Sequence, residues 1–216
     1  MSLPHPDTIP SLLEGIARDG YAVVENFFPP EKIALLAQEA KQLQLEGVMR
    51  RASTGKNNGT QTDAAIRGDF IHWLQTDNPA SPDITPVQQE YLHQMESLRT
   101  SLNANFYLGL FELESHFAIY PPGTIYRKHL DQFQGFEERQ VSCILYLNKD
   151  WRHEDGGQLR LYLDGMAKQP YLDIEPIGGT LVAFLSGRFW HEVLPAKRER
   201  TSLTGWFRTR TAGLAA

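Results

Sequence analysis

The chain has 216 residues, 41% of them hydrophobic and 22% charged; that suffices for one domain with a sizeable core and is cramped for two. Its formal net charge of -5 gives no general pull toward nucleic acid or anionic membrane. No apolar run approaches a bilayer span, and the opening MSLPHPDTIPSLLEG lacks the basic start and long apolar stretch of a signal peptide. The single cysteine, Cys143, excludes an intrachain disulfide and any Cys-rich zinc or iron–sulfur site. The expectation is a cytoplasmic protein in which any metal is held by histidines and carboxylates.

Residues 1–110 read as mainly helical support. A helix capped by Asp7 carries Ile9, Leu12, Leu13 and Ile16 and ends at Gly20. A short strand follows from Tyr21 to Phe27, stopped by Pro29 and Pro30. A second helix starts near Glu31, with Ile33, Leu35, Leu36 and Ala37 apolar, and ends at Gly47. Residues 48–66 are rich in Arg, Gly, Asn, Ser and Thr, a composition that predicts a mobile loop. A third helix is predicted from about Pro86 to Phe106. From Glu114 the texture changes. Eight short apolar runs, separated by Gly and Pro clusters, predict a β jelly roll over 114–210. The predicted fold class is α+β, mainly β: a cupin-like jelly roll on N-terminal helices, as a single domain spanning 1–216.

The chemistry-bearing residues lie in the β region. In a strand, His129 and Asp131 point to the same side. An isolated His-x-Asp is more often a surface triplet, so a third ligand is needed. His191, at the start of a late apolar strand, is the best candidate. Two imidazoles and one carboxylate on one face of a metal leave positions open, an arrangement suited to non-haem Fe(II) oxygen chemistry; a structural zinc site is closed by four ligands. Arg200 begins the strand RTSLTGWFR and shares a face with Ser202, Thr204 and Trp206. A guanidinium in a β pocket calls for an anion, and a dicarboxylate fits by a charge-assisted pair. Tyr146 offers a phenol on VSCILYLN, on one face with Ser142 and Ile144. His116 has the parity of Tyr120, which fits either a pocket wall or the core. Cys143 has the opposite parity to Tyr146 and is expected in the core.

These residues sit in an ordered series: IRGDFIHWL, FAIYPPGTIYRKHLD, ILYLNKDW, GGQLRLY, DIEPIGG, WHEVLPA and RTSLTGWF. Over roughly residues 65–210 the chain resembles the prolyl hydroxylases of the hypoxia-inducible-factor type, most closely their bacterial relatives. The resemblance implies a double-stranded β-helix with Fe(II) at His129, Asp131 and His191. It implies 2-oxoglutarate with its far carboxylate on Arg200 and Tyr146, and Tyr120, Ile144, Leu159, Val193, Thr204 and Trp206 as further lining. Tyr126, Arg139, Arg50 and Arg51 then face the substrate, and the loop at 48–66 becomes a substrate-covering flap. The implied reaction uses O2 and 2-oxoglutarate, with ascorbate as a stimulating reductant, to hydroxylate C4 of a prolyl residue in a protein, releasing succinate and CO2. Elongation factor Tu is the leading expected substrate, with no nucleic-acid or membrane partner. Two other readings stand beside this one: a non-catalytic 2-oxoglutarate- or metal-binding sensor, and an oxygenase acting on a different residue or a small molecule.

Overall fold

The computed structural model describes residues 8–53, 63, 65–74, 84–132, 138–164 and 169–210. Three helices come from the N-terminal half: α1 (Thr8–Asp19), α2 (Pro30–Leu45) and α3 (Pro86–Phe106). In α1, Leu12 and Ile16 are buried, with Ile9 and Leu13 packed beside them, giving the spacing of one helix face. Helix α3 starts where the Thr85 side chain accepts from the Gln88 amide at 3.3 Å, with Pro86 in the first turn. It ends at Tyr107, in the left-handed region at φ 54°. Its stripe Val87, Tyr91, Met95, Leu98 and Leu102 is buried.

The strands are β1 (Tyr21–Val24), β2 (Arg50–Arg51), β3 (Phe70–Trp73), β4 (Glu112–Tyr120), β5 (Tyr126–His129), β6 (Arg139–Tyr146), β7 (Leu159–Tyr162), β8 (Tyr171–Ile174), β9 (Leu181–Leu185), β10 (His191–Val193) and β11 (Arg200–Arg208). They form two antiparallel sheets. The larger runs β1-β9-β6-β11-β4-β3-β2 and the smaller β5-β10-β7-β8. This is the jelly roll anticipated from the eight β runs.

Strand alternation divides the larger sheet into two faces. Phe117, Ile119, Val141, Cys143, Leu145, Leu203 and Phe207 join the helix-side core with Leu12, Leu36 and Met95. The other side chains of the same strands, including Ala118, Tyr120, Ile144 and Tyr146, face the smaller sheet with Leu159, Leu161 and Val193. The helices therefore seal one face and leave the other to build a site. Among the described residues, no helix is long and apolar enough to cross a membrane.

Three expectations need correction. The strand from Tyr21 stops at Val24 instead of Phe27, because Asn26 turns the chain at φ 52° while Phe27 and Phe28 are buried in the turn. The predicted loop at 48–66 is partly ordered structure: Arg50 and Arg51 pair with Ile71 and Phe70, and Met49 and Ala52 are buried. Residues 54–62 and 64 of that loop lie outside the described residues. Finally, β5 ends at His129, so strand alternation does not bring Asp131 beside it; the chain bends there instead.

Candidate active site

A narrow cleft opens between the two sheets. Its lining includes His129, Asp131 and His191 at one end and Arg200 at the other. His129 and His191 are directly paired across β5 and β10. Their Nε2 atoms lie 3.4 Å and 3.5 Å from the two oxygens of Asp131. One donor atom from each of the three side chains falls within 4.8 Å of the others, the grouping needed for one metal ion.

The surroundings set which atoms are free. His129 Nδ1 lies 2.7 Å from the Arg127 carbonyl and His191 Nδ1 lies 3.1 Å from that of Phe189. A carbonyl only accepts, so each Nδ1 carries the proton and each Nε2 presents a lone pair toward the centre. Burial, then the neighbouring His129, lowers His191 to about 4 against the pull of Asp131, so its imidazole is neutral at ordinary pH. Burial raises the Asp131 carboxyl, but His191, His129 and the Ser142 hydrogen bond outweigh it and hold it well below the usual carboxylate range. Ser142 Oγ donates to Asp131 Oδ2 at 2.7 Å and lies 2.9 Å from Ser186 Oγ. One hydroxyl from β6 and one from the turn just after β9 thus latch the bend that carries Asp131. Sequence reading placed Ser142 on the right face but gave it no role, and it missed Ser186.

Arg200 is 2% exposed. Its Nε donates to the Gly157 carbonyl at 2.9 Å, and its guanidinium carbon lies 5.2 Å and 5.0 Å from the ring centres of Tyr120 and Tyr146. Among the described residues, Arg200 Nη2 and Tyr146 Oη have no hydrogen-bond partner. Burial pushes the Tyr146 phenol up to about 12 despite Arg200, so it stays a donor. Two buried donors without an acceptor, one of them charged, make a pole for an acidic group. Tyr120, Ile144, Leu159, Val193, Thr204 and Trp206 also line the cleft.

Tyr126 lines it too. Its ring stacks on His129 with centroids 3.6 Å apart, and Arg67 lies over Tyr126 at 4.6 Å while pairing with buried Asp69 at 2.7 Å and 2.9 Å. Arg67 and Asp69 were missed as site residues; the Arg-Gly-Asp spacing, two residues apart, was their signal. Arg139, Arg50 and Arg51 are not among the cleft-lining residues. Arg139 donates to Glu114 at 2.7 Å and lies 3.6 Å from the ring centre of Trp206. Arg50 and Arg51 are exposed on the outer strand β2.

Residues 115–208 match the profile of the 2OG-Fe(II) oxygenase superfamily. The crystal structure of a Pseudomonas putida prolyl-4-hydroxylase is 42% identical, with a TM-score of 0.81 over 94% of this chain and 99% of that one. A Trichoplax adhaerens prolyl hydroxylase, solved with a hypoxia-inducible-factor oxygen degradation domain peptide, is 25% identical, with a TM-score of 0.78 over 93% of this chain and 88% of that one. Human Egl nine homolog 1 is 32% identical over 199 residues, which are 88% of this chain and 44% of that protein; the chain spans less than half of this relative's length. With its histidine–aspartate–histidine grouping and its cationic pole in one jelly-roll cleft, this chain belongs to the 2OG-Fe(II) oxygenase superfamily, which works with Fe(II), 2-oxoglutarate and O2.

Proposed function

We propose that the chain is a prolyl 4-hydroxylase acting on a protein substrate. The observation that carries the reading is the pairing, in one cleft, of the His129–Asp131–His191 grouping with the partnerless donors of Arg200 and Tyr146. The prolyl hydroxylases among its relatives supply the reaction class. The residues fit the cofactor set: three donors leave open metal positions, and the two unserved donors ask for a carboxylate.

In this reading His129, Asp131 and His191 hold Fe(II), which when bound with 2-oxoglutarate supplies the oxidising power for C–H hydroxylation, with succinate and CO2 released. Arg200 and Tyr146 take the far carboxylate. Their fixed placement by Gly157 and the tyrosine rings orients the co-substrate before reaction. Ile144, Leu159 and Val193 give the middle of the cleft apolar walls that exclude water. Tyr120, Thr204 and Trp206 complete the lining. Ser142 holds Asp131 with its carboxylate charged and turned inward. Tyr126, backed by Arg67, braces the His129 ring at the side assigned to the substrate. Arg139, Arg50 and Arg51 lie outside the cleft, and a role for them is in peptide docking, together with the flap proposed for residues 48–66. Elongation factor Tu is the first protein substrate to try. The whole chain, 1–216, then works as a single domain in the cytoplasm.

The test is mass spectrometry of cellular proteins with and without the enzyme, followed by reconstitution with Fe(II), 2-oxoglutarate, O2 and the candidate protein. The expected result is a gain of one oxygen on a specific proline together with succinate. Binding of 2-oxoglutarate without succinate release would favour the sensor reading. Oxidation at another residue type would replace proline as the target.

A further inference from the structure

The cleft contains a second set of polar atoms that neither the triad nor Arg200 serves. His116 on β4 is 1% exposed, and among the described residues neither ring nitrogen has a hydrogen-bond partner. Trp206 on β11 is also buried, with Nε1 unpartnered. Both line the cleft. The imidazole packs at one corner of a triangle with two indoles, 4.7 Å from the centre of Trp73 and 5.5 Å from that of Trp206, whose own centres are 6.4 Å apart. This fixes the ring while leaving its nitrogens unserved.

The hydroxyl facing His116 across the ladder is already engaged. Thr204 stands opposite His116 in the β4–β11 register, but its hydroxyl lies 3.2 Å from that of Ser202. Arg200 pairs with Tyr120 four residues along the same ladder, about 14 Å away at roughly 3.4 Å per residue. The pole at Arg200 and the corner at His116 are therefore separate features of one cleft. Burial, reinforced by the charges of Arg67 and Arg139 and opposed by Asp131, pushes His116 well below its usual range. A neutral imidazole offers one donor and one acceptor, and the indole one donor. Such a mixed set does not suit an anion, which only accepts. It suits a molecule that both donates and accepts, and buried water occupies sites of this kind with two to four polar partners.

We propose that the His116–Trp206 corner binds a water molecule, held between an imidazole nitrogen and the indole N–H, and that His116 is the positioning residue that fixes it on the larger-sheet wall of the cleft that also holds the metal grouping. The assignment concerns the resting protein and stands apart from the choice of substrate. It is tested by nuclear magnetic resonance on the full 15N-labelled chain loaded with Zn(II), where no turnover occurs. The Trp206 indole proton should show cross-relaxation to a long-lived water. His116→Phe keeps a ring for packing and removes both nitrogens, so that signal should be lost; His116→Gln restores a donor and an acceptor and should recover it. No water signal in the wild type, or one unchanged in His116→Phe, overturns the proposal. If the phenylalanine variant does not fold, a wild-type crystal structure decides: a water within hydrogen-bond distance of both groups supports the site, and an empty corner overturns it.

Discussion

Asp131 shows how much one residue's chemistry depends on its neighbours. It lies beyond the end of β5, and what holds it is the hydroxyl of Ser142, itself beside Ser186. Outer partners of this kind typically contribute 10–100-fold in metal affinity. Ser142→Ala should therefore weaken Mn(II) binding about 10-fold, read by calorimetry; unchanged affinity would mean that the bend holds itself. The sequence made His129, Asp131, His191 and Arg200 legible because their types are rare inside a protein without a task. Ser142 was not legible, since a serine on a strand looks like any other small residue until its partner across the cleft is known. His116 belongs at this scale as well. Its folded value is depressed by burial, with Arg67 and Arg139 adding and Asp131 opposing, while the unfolded chain binds a proton near the ordinary 6.5. A depressed value means that stability present above pH 6.5 is lost as the pH falls toward the folded value. Between pH 7 and 5.5 this single group should remove about 1 kcal/mol of stability. Denaturant titrations at the two pH values check it: His116→Phe should show a smaller drop than the wild type, and equal drops would place the titrating group elsewhere.

At the scale of elements, the connection before β7 matters more than its length suggests. Gly157 has φ +71°, and a Cβ there would lie 2.9 Å from Ala196 Cβ and 3.3 Å from Arg200 Cδ. Its carbonyl also accepts from Arg200 Nε. Gly157→Ala should thus lower both the melting temperature and the affinity for 2-oxoglutarate. Arg200→Ala should mainly lower the affinity, by about 2–5 kcal/mol, the range for removing one member of a buried charge pair. Thermal melts and co-substrate titrations on the two variants separate a loop that shapes the pole from the pole itself. If Arg200→Ala keeps full affinity, the anion is bound elsewhere. Helix α3 could be read to its observed ends because Thr85, Pro86 and a long apolar stripe mark it. The edge strand β2 was hidden: Arg50 and Arg51 are both exposed, and their pairing to β3 comes from backbone hydrogen bonds that leave no pattern in side-chain polarity.

At the scale of the whole molecule, the two imidazoles of the metal grouping come from the smaller sheet, whereas Arg200, Tyr146 and Tyr120 belong to the larger one. Sequence order could not show this division, since His191 and Arg200 are close in the chain and yet belong to different sheets. A guest anchored at both poles is a rivet driven through the sandwich. On the proposed reading the metal alone would grip the smaller sheet and, through Asp131, one point of the larger; adding 2-oxoglutarate in the absence of oxygen would clamp the two layers at a second place. By mass action a ligand at 100 times its dissociation constant adds about 2.7 kcal/mol to the folded state. Melting curves should rise with Mn(II) and rise again with 2-oxoglutarate, while the co-substrate without metal should do little. If the second rise is missing, the far pole is not gripping its guest. Where the rivet holds, the two sheets should come apart only after it is drawn, so release of spent co-substrate and loosening of the sandwich become one event.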